Sequence, residues 1–506
     1  MGYLYSRNTS SCKTNSGVNL NSFDLTTTIK PVTTSTSCTI NYLPFTKMDK
    51  ISSKQPHICI IGGGAAGLSA GYFLKERGYT QITVLEKEVR VGGKCLSITS
   101  GGKSFDLGAN YVTASYRQVK RLARSVGADM YTEGKLNGYD YQKNQMTTLL
   151  KAVSANSSMI EIGWQSLRFI LKRWRLNPLF SVETPGYKNM AAHPAICQPF
   201  GDWLTHQNLP ALKVLFQIPL SLMGYGQLTE IPTAYALTYL TIPTFLNLVS
   251  AALSPSILGY PKRFTEGYER LWQRLSWHLD VRVGAQVTQV QRGNRIAVTY
   301  SEQEERITGK DQNGPTLKSA NKILYCDYLI IGVPLYADAI RSFLTDMSEQ
   351  ETRLFEQVVF DPFIVTTYIM PGLEAFTAAT FMIPEPEIGY PFVVTRQFAD
   401  NDLVSFYTRN AFGEKIDKET ILRNNAAFVK KATGLTLVAY DTYSEFPYFP
   451  HVSSTAMAAG FYDQLEAQQG RQNTFYVGGL MNFELVETIV NYSRQLVATH
   501  FPAIKS

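Results

Sequence analysis

The stretch "HICIIGGGAAGLSA", His57 to Ala70, decides the fold. Ile58-Cys59-Ile60-Ile61 is an unbroken apolar run, the pattern of a strand covered on both faces. Gly62-x-Gly64-x-x-Gly67 follows it directly, and a helical pattern continues through about Arg77. "QITVLEK", Gln81 to Lys87, reads as a second strand and closes a β-α-β unit. In this setting each glycine has a physical role. Gly62 permits a tight turn, Gly64 removes the Cβ that would block a pyrophosphate, and Gly67 lets helix approach strand. Ala65, Ala66 and Gly67 open the helix and offer its amides and partial positive charge to a phosphate. Glu86, beside Lys87 at the end of the second strand, is placed to accept both hydroxyls of a ribose; an acid there disfavours a 2′-phosphate. The stretch predicts a dinucleotide site.

The rest of the composition narrows the class. At 506 residues the chain exceeds one ordinary core, so more than one domain is expected. Apolar residues make up 44 % and charged residues 18 %, a globular balance. The net charge of +7 comes without a long Lys/Arg run, so no nucleic-acid partner is expected. The six cysteines (Cys12, Cys38, Cys59, Cys95, Cys197 and Cys326) form no C-x-x-C, and the histidines are dispersed. This reads as a reduced compartment with neither a disulfide framework nor a metal site.

The first 47 residues are different: Ser, Thr and Asn fill 22 positions, and Asp24 is the one acid. Without an apolar h-region they do not read as a Sec signal, and they cannot pack a core. An organellar transit segment, a disordered tail and translated upstream sequence remain alternative readings, with Met48 a natural second start. The expected location is cytoplasmic or organellar.

Further along, Trp164, Leu167, Leu171 and Trp174 share one helical face, and Arg168, Lys172 and Arg175 another. A surface helix covering the core and a helix lying on a membrane surface both fit, so peripheral membrane contact stays open. Ile231 to Pro261 contains no charge but is interrupted by Pro243 and Pro255, which suggests buried helices around an apolar cavity rather than a span. "DVRVGAQVTQVQRGNRIAVTY" reads as hairpin strands and "DYLIIGVPL" as another buried strand.

Beyond Glu86 the chain continues through "LEKEVRVGGKC" and "FDLGAN". With the glycine turn, these segments resemble the FAD-dependent amine-oxidase-like flavoproteins. The resemblance implies FAD, with Gly92, Gly93 and Lys94 near its phosphates and ribityl chain; because no cysteine follows Cys326, non-covalent attachment is expected. It places Gly108, Ala109 and Asn110 near the isoalloxazine, and the Val287 backbone at adenine. Late in the chain, "TFYVGGLMNFE" (Thr474–Glu484) would return a strand to the nucleotide sheet beside "HICII". Gly478 and Gly479 would let backbone approach the flavin, and Met481 and Asn482 would open a helix toward its pyrimidine end.

The implied architecture is α/β. A discontinuous Rossmann-like FAD-binding domain (residues 48–139, 271–345 and 456–506) holds a helical substrate subdomain (140–270) and an inserted α+β substrate domain (346–455), after the 1–47 extension.

A narrower resemblance, carried by "LMGYGQLTEIPTAYALTYL", "FPYFPHVSS", "AGFYDQLEAQQGRQNTFYVGGLMNFE" and "NYSRQLV", is to the polyenoic fatty acid isomerases, including bacterial linoleate isomerase. It implies redox-neutral isomerisation of a hydrophobic polyunsaturated substrate: flavin N5 takes a hydride from a methylene between two double bonds, and the hydride returns at another carbon. The cationic intermediate needs a dry pocket with aromatic faces, and Tyr225, Tyr235, Tyr448 and Phe449 are the candidate substrate contacts. Two positions depart from the family. The arginine expected near "KLNGYDY" (Lys135–Tyr141), which clamps a carboxylate, is replaced by Asn137 and Gly138. The acid that commonly follows the first late glycine is Gly479. No catalytic side chain is legible, so the flavin would carry the reaction. An FAD oxidase or desaturase of an amine or alkene is the competing reading, and a non-enzymatic flavin- or lipid-binding protein a third. The sequence leaves the oligomeric state open.

Overall fold

Ile58–Ile61 forms the centre of a five-stranded parallel sheet. The computed structural model describes residues 55–504 apart from 133–136, 156, 181–184, 254–260, 305–317, 377, 385, 411–415 and 438. The 1–47 extension, Cys12, Cys38, Met48 and Lys135 therefore lie outside the described residues. The described part belongs to one unit, Lys54–Ser506.

The sheet gathers strands from the whole length of this unit, in the order Thr474–Tyr476, Tyr328–Ile331, Ile58–Ile61, Ile82–Leu85, Asp280–Arg282. All its pairings are parallel, and the central strands are buried throughout, as their apolar runs require. Two details differ from the sequence expectation. Thr474–Tyr476 pairs with Tyr328–Ile331 rather than with Ile58–Ile61, so the late strand sits one position further out. Asp280–Arg282 joins this sheet, while the hairpin begins at Ala285.

Helix Ala65–Glu76 crosses between the first two strands and packs along helix Val486–His500, where Ser493 Oγ donates to Ala66 O at 3.1 Å. A three-stranded antiparallel sheet follows (Ala285–Gln291, Ile296–Glu304, Lys318–Cys326). The third sheet has seven strands, in the order Thr442–His451, Val359–Ile369, Leu403–Arg409, Pro391–Arg396, Ala378–Ile383, Asn137–Asp140, Gln145–Thr147. Helices fill most of 149–276. In the uncharged stretch, Thr233–Tyr239 is almost wholly buried and Ile242–Leu253 lies beside Met159–Arg175. Among the described residues no helix is long and apolar enough to cross a membrane.

One buried ion network fixes the late strand. Arg292 bonds Asp346 at 2.9 Å and both carboxylate oxygens of Glu351 at 2.7 and 2.9 Å, and Tyr476 Oη donates to Glu351 at 2.5 Å. Burial pushes the Glu351 carboxyl up, but bonds from Arg292, Tyr476 and Ser348 outweigh it and leave it at about 2. The network thus contributes stability that is present above the ordinary value of 4.5 and is lost as pH falls from there towards about 2. Glu351→Gln should cost about 3 kcal/mol, by leaving Arg292 underpaired in the interior. Chemical denaturation should show the loss at neutral pH and a flatter acid limb.

Gly67 is the other fixed point. A Cβ there would lie 2.0 Å from Gly62 O and 3.0 Å from Ile60 Cγ2. Gly67→Ala should lower stability by about 1–3 kcal/mol, read as a drop in the unfolding midpoint.

Candidate active site

At the carboxyl ends of the parallel strands lies a cavity of ≈ 610 Å³, the position where open α/β sheets bind ligands. The glycine turn forms its floor. Gly62 has φ +105° and is pressed against Gly332, where a Cβ would come within 2.9 Å of the carbonyl oxygen. At Gly64 a Cβ would meet nothing closer than Gly93 Cα at 3.7 Å, so this glycine keeps cavity space clear. Ala65 and Ala66 line the cavity; Gly67 does not, because its face is taken up by Gly62. The first turn of Ala65–Glu76 has no acid and no side-chain cap, leaving its amides for a ligand.

Glu86 lines the cavity beside Lys87 and also holds the turn together. It accepts from Gly63 N at 2.6 Å and from Glu88 N at 2.9 Å. A carboxylate has about four acceptor sites, so capacity for ribose hydroxyls remains. Gly92 and Gly93, both at positive φ, bring the next turn against the first through Gly92 N to Gly63 O at 2.9 Å. Arg90 clamps Gly93 O at 3.0 Å; its buried Nη1 has no hydrogen-bond acceptor and lies 3.7 Å from Glu269.

Gly108, Ala109 and Asn110 follow along the wall. A Cβ on Gly108 would overlap Lys94 O at 1.7 Å, and Ala109 N donates to that same oxygen at 3.1 Å. Just before them Asp106 accepts from Ser97 Oγ at 2.6 Å and Tyr268 N at 2.8 Å. Burial raises its carboxyl to about 6 against those bonds. Val287 lines the opposite end with Ala285 and Gln286.

The late glycines close the far wall. Gly478 (φ +135°) and Gly479 line the cavity, but a Cβ on Gly479 would sit 2.0 Å from Glu484 Oε2. An acid is therefore present at this wall: Glu484 folds back over Gly479 and pairs with Lys94 at 2.8 Å. Met481 and Asn482 do not reach the cavity. Gly479–Asn482 is a single turn; Met481 is buried, and the Asn482 amide accepts from Gly186 N and donates to Thr488 O. The helix that starts at the cavity is Val486–His500, through Leu485, Val486 and Ile489. Its Glu487 caps helix Gln118–Ser125, accepting from the amides of Arg117, Gln118 and Val119.

Beyond the Lys94–Glu484 pair the wall becomes apolar. Tyr225 and Tyr448 face the cavity with rings 5.8 Å apart and 21° from parallel, and Phe363, Val393, Tyr407 and Phe446 continue the lining. Tyr225 Oη donates to Glu484 O at 2.8 Å, and burial raises the Tyr448 phenol far above its ordinary value. Tyr235 and Phe449 stand behind this wall. A bulge opposite Phe360 gives Phe449 φ +51° and turns its ring away from the cavity, onto His451, Tyr225 and Tyr235. The Tyr235 hydroxyl is committed to Tyr462 and Val452 N. Among the described residues none of Ile231–Pro261 lines the cavity, and neither Asn137 nor Gly138 does.

The sequence profile described as flavin containing amine oxidoreductase matches residues 65–372. The chain belongs to that family. It is 23 % identical to the FAD-dependent oxidoreductase dpchF of Colletotrichum higginsianum, over 88 % of its own length and 93 % of that protein's. It is 24 % identical to the polyenoic fatty acid isomerase of Ptilota filicina over 36 % of this chain and 40 % of that one. Among solved structures, the CLA-producing fatty acid isomerase from P. acnes superposes with a TM-score of 0.74 at 21 % identity, covering 89 % of this chain and all of that one. The chain is a flavoenzyme with the amine-oxidase-like FAD fold, and its cofactor is FAD. The uncapped helix start, the space at Gly64 and the buried Nη1 of Arg90 fit the pyrophosphate of that group.

Sequence reasoning missed Arg90, Tyr111, Tyr116 and Glu484 at the cavity, and the sheet residues Phe363 and Tyr407. Arg90 lies inside "LEKEVRVGGKC", Glu484 ends "TFYVGGLMNFE" and Tyr111 follows "FDLGAN", so proximity could have found them. Phe363 and Tyr407 carry no local signal. Glu86→Arg should yield protein without bound flavin, since it removes both loop hydrogen bonds and the acceptor for the ribose hydroxyls. The ratio of flavin to protein absorbance after purification checks it; flavin-replete Glu86→Arg would refute the placement.

Proposed function

We propose that this enzyme shifts a double bond in an apolar polyunsaturated substrate without net oxidation. The observation that carries this reading is one cavity running from the cofactor loops into an aromatic chamber of Tyr225, Tyr448, Phe363 and Tyr407. FAD, when bound, supplies a hydride acceptor that can also return the hydride.

The chain's own groups would orient the substrate, keep it dry and tolerate a transient positive charge. The nearly parallel Tyr225 and Tyr448 rings offer quadrupolar faces to such a charge. The bond from Tyr225 to Glu484 O fixes one ring, and the raised Tyr448 phenol stays protonated, so it is no nucleophile. Among the described lining residues the bases are Lys87, Arg90 and Lys94. The first two belong to the cofactor loops and Lys94 is paired with Glu484. This supports an uncharged polyene, such as an ester, over a free acid held by its carboxylate. Glu445 also lines the cavity and favours a second reading, oxidation of an amine, because its carboxylate would suit an ammonium group.

Flavin-loaded protein under argon should convert a polyunsaturated ester catalytically into a product with conjugated-diene absorbance, with no added acceptor. Turnover that needs O₂ or a quinone sinks the isomerase reading, and turnover of amines alone selects the second. Tyr448→Leu should lower the isomerisation rate by about tenfold while flavin content stays constant.

A further inference from the structure

Helix Met159–Arg175 is oriented against the usual rule for a surface helix. Its inner face is Ile162, Gln165, Phe169 and Arg173, all buried. Its outer face carries Ile160, Trp164, Leu167, Leu171 and Trp174 at alternating four- and three-residue steps, one continuous stripe. These five side chains are 49–87 % exposed. Of the two sequence alternatives, a stripe that covers the core is therefore wrong: the core is covered from the opposite face.

Charge sits along one flank of the stripe. Arg168 and Lys172 reach Gln207 at 3.3 and 2.7 Å, and Arg175 ends the row in the open. Burial, then repulsion from Arg168 and Arg175, lowers the Lys172 ammonium from its ordinary value. The helix has one acid, Glu161 at its start, which accepts from Gln165.

We propose that Met159–Arg175 lies flat on an anionic lipid surface, with the Ile160–Trp174 stripe in the headgroup–acyl boundary and Arg168, Lys172 and Arg175 among the headgroups. Several features select lipid as the occupant. The exposed apolar residues include two tryptophans, whose amphipathic rings favour the membrane interface. The flanking cations complement anionic headgroups. Seventeen residues give a rod of roughly 25 Å, long enough to lie on a surface. The helix is also wired to the cavity: Phe169 packs on Phe216 and Phe245 at 4.7 and 4.8 Å, and the Phe216 helix, Lys213–Leu222, leads directly to Met223 and Tyr225 on the cavity wall. A lipid-bound helix would thus sit on the outside of the layer that roofs the substrate end. The docking holds whatever reaction the site performs, because its readout is binding.

The test is flotation of full-length, flavin-loaded protein with vesicles of phosphatidylcholine, with and without phosphatidylglycerol. Wild type should float with the phosphatidylglycerol vesicles and lose binding as salt rises. Trp164→Ala/Trp174→Ala should reduce partitioning at least about tenfold. Arg168→Gln/Arg175→Gln should reduce the preference for anionic vesicles roughly fivefold per charge. Flavin content serves as the folding control. In a Trp277→Phe background, which removes the other exposed tryptophan, brominated lipid should quench Trp164 and Trp174 without any change to the stripe. Failure of wild type to float, unquenched tryptophans, or partitioning indifferent to the Trp pair would overturn the proposal. So would a protein dimer that the Trp pair disrupts while vesicle binding stays absent.

Discussion

Everything at the cofactor end rests on one close approach. The carbonyl oxygen of Gly62 occupies the place where a side chain at position 67 would begin, so helix Ala65–Glu76 lies as near its strand as backbones allow. That contact aims the helix N-terminus into the cavity and presses Gly62 against Gly332 on the neighbouring strand. The second layer of support is electrostatic: Glu86 takes the amide of Gly63 within the turn and that of Glu88 just after its own strand, and Arg90 holds the next loop by its carbonyl. The cradle is therefore made of backbone, and side chains brace it from outside.

The substrate end is built on another principle. There the seven-stranded sheet supplies ring faces, and its geometry depends on an irregularity. Regular alternation along Thr442–His451 would send neighbouring residues to opposite sides of the sheet. Pairing with Val359–Ile369 is regular as far as Tyr448; the bulge opposite Phe360 then turns Phe449 into the aromatic cluster behind, while Tyr448 and Pro450 on either side of it line the cavity. Lys94 and Glu484 mark the border between the two halves, the last charged pair before the apolar chamber.

How much of this the sequence disclosed follows from the range of the forces involved. The glycine turn and Glu86 were legible because each acts through local backbone geometry, "FDLGAN" through the family resemblance, and the structure brings them together around one cavity. The same local logic failed one step later. Met481 and Asn482 looked like a helix start, but the decisive fact is that Glu484 folds back five residues to cover Gly479. Tyr235 and Phe449 were equally plausible as wall residues, and only a bulge and a Tyr462 partner put them in the second row. The orientation of Met159–Arg175 was undecidable from periodicity, since that helix carries apolar residues on both faces and burial chose the other one.

The order of strands in the parallel sheet has a consequence for biosynthesis. The glycine turn is made more than four hundred residues before the wall opposite it, Gly478–Gly479, which follows strand Thr474–Tyr476. From the completion of Tyr328–Ile331 until Thr474–Tyr476 is made, a nascent chain must carry an open half-cradle with that apolar strand edge unpaired. Completion of the sheet, burial of Tyr476 against Glu351 and closure of the cavity are then one late event. Flavin captured after that event would act as a clasp between segments more than four hundred residues apart in the chain, and would stabilise the finished sheet by mass action.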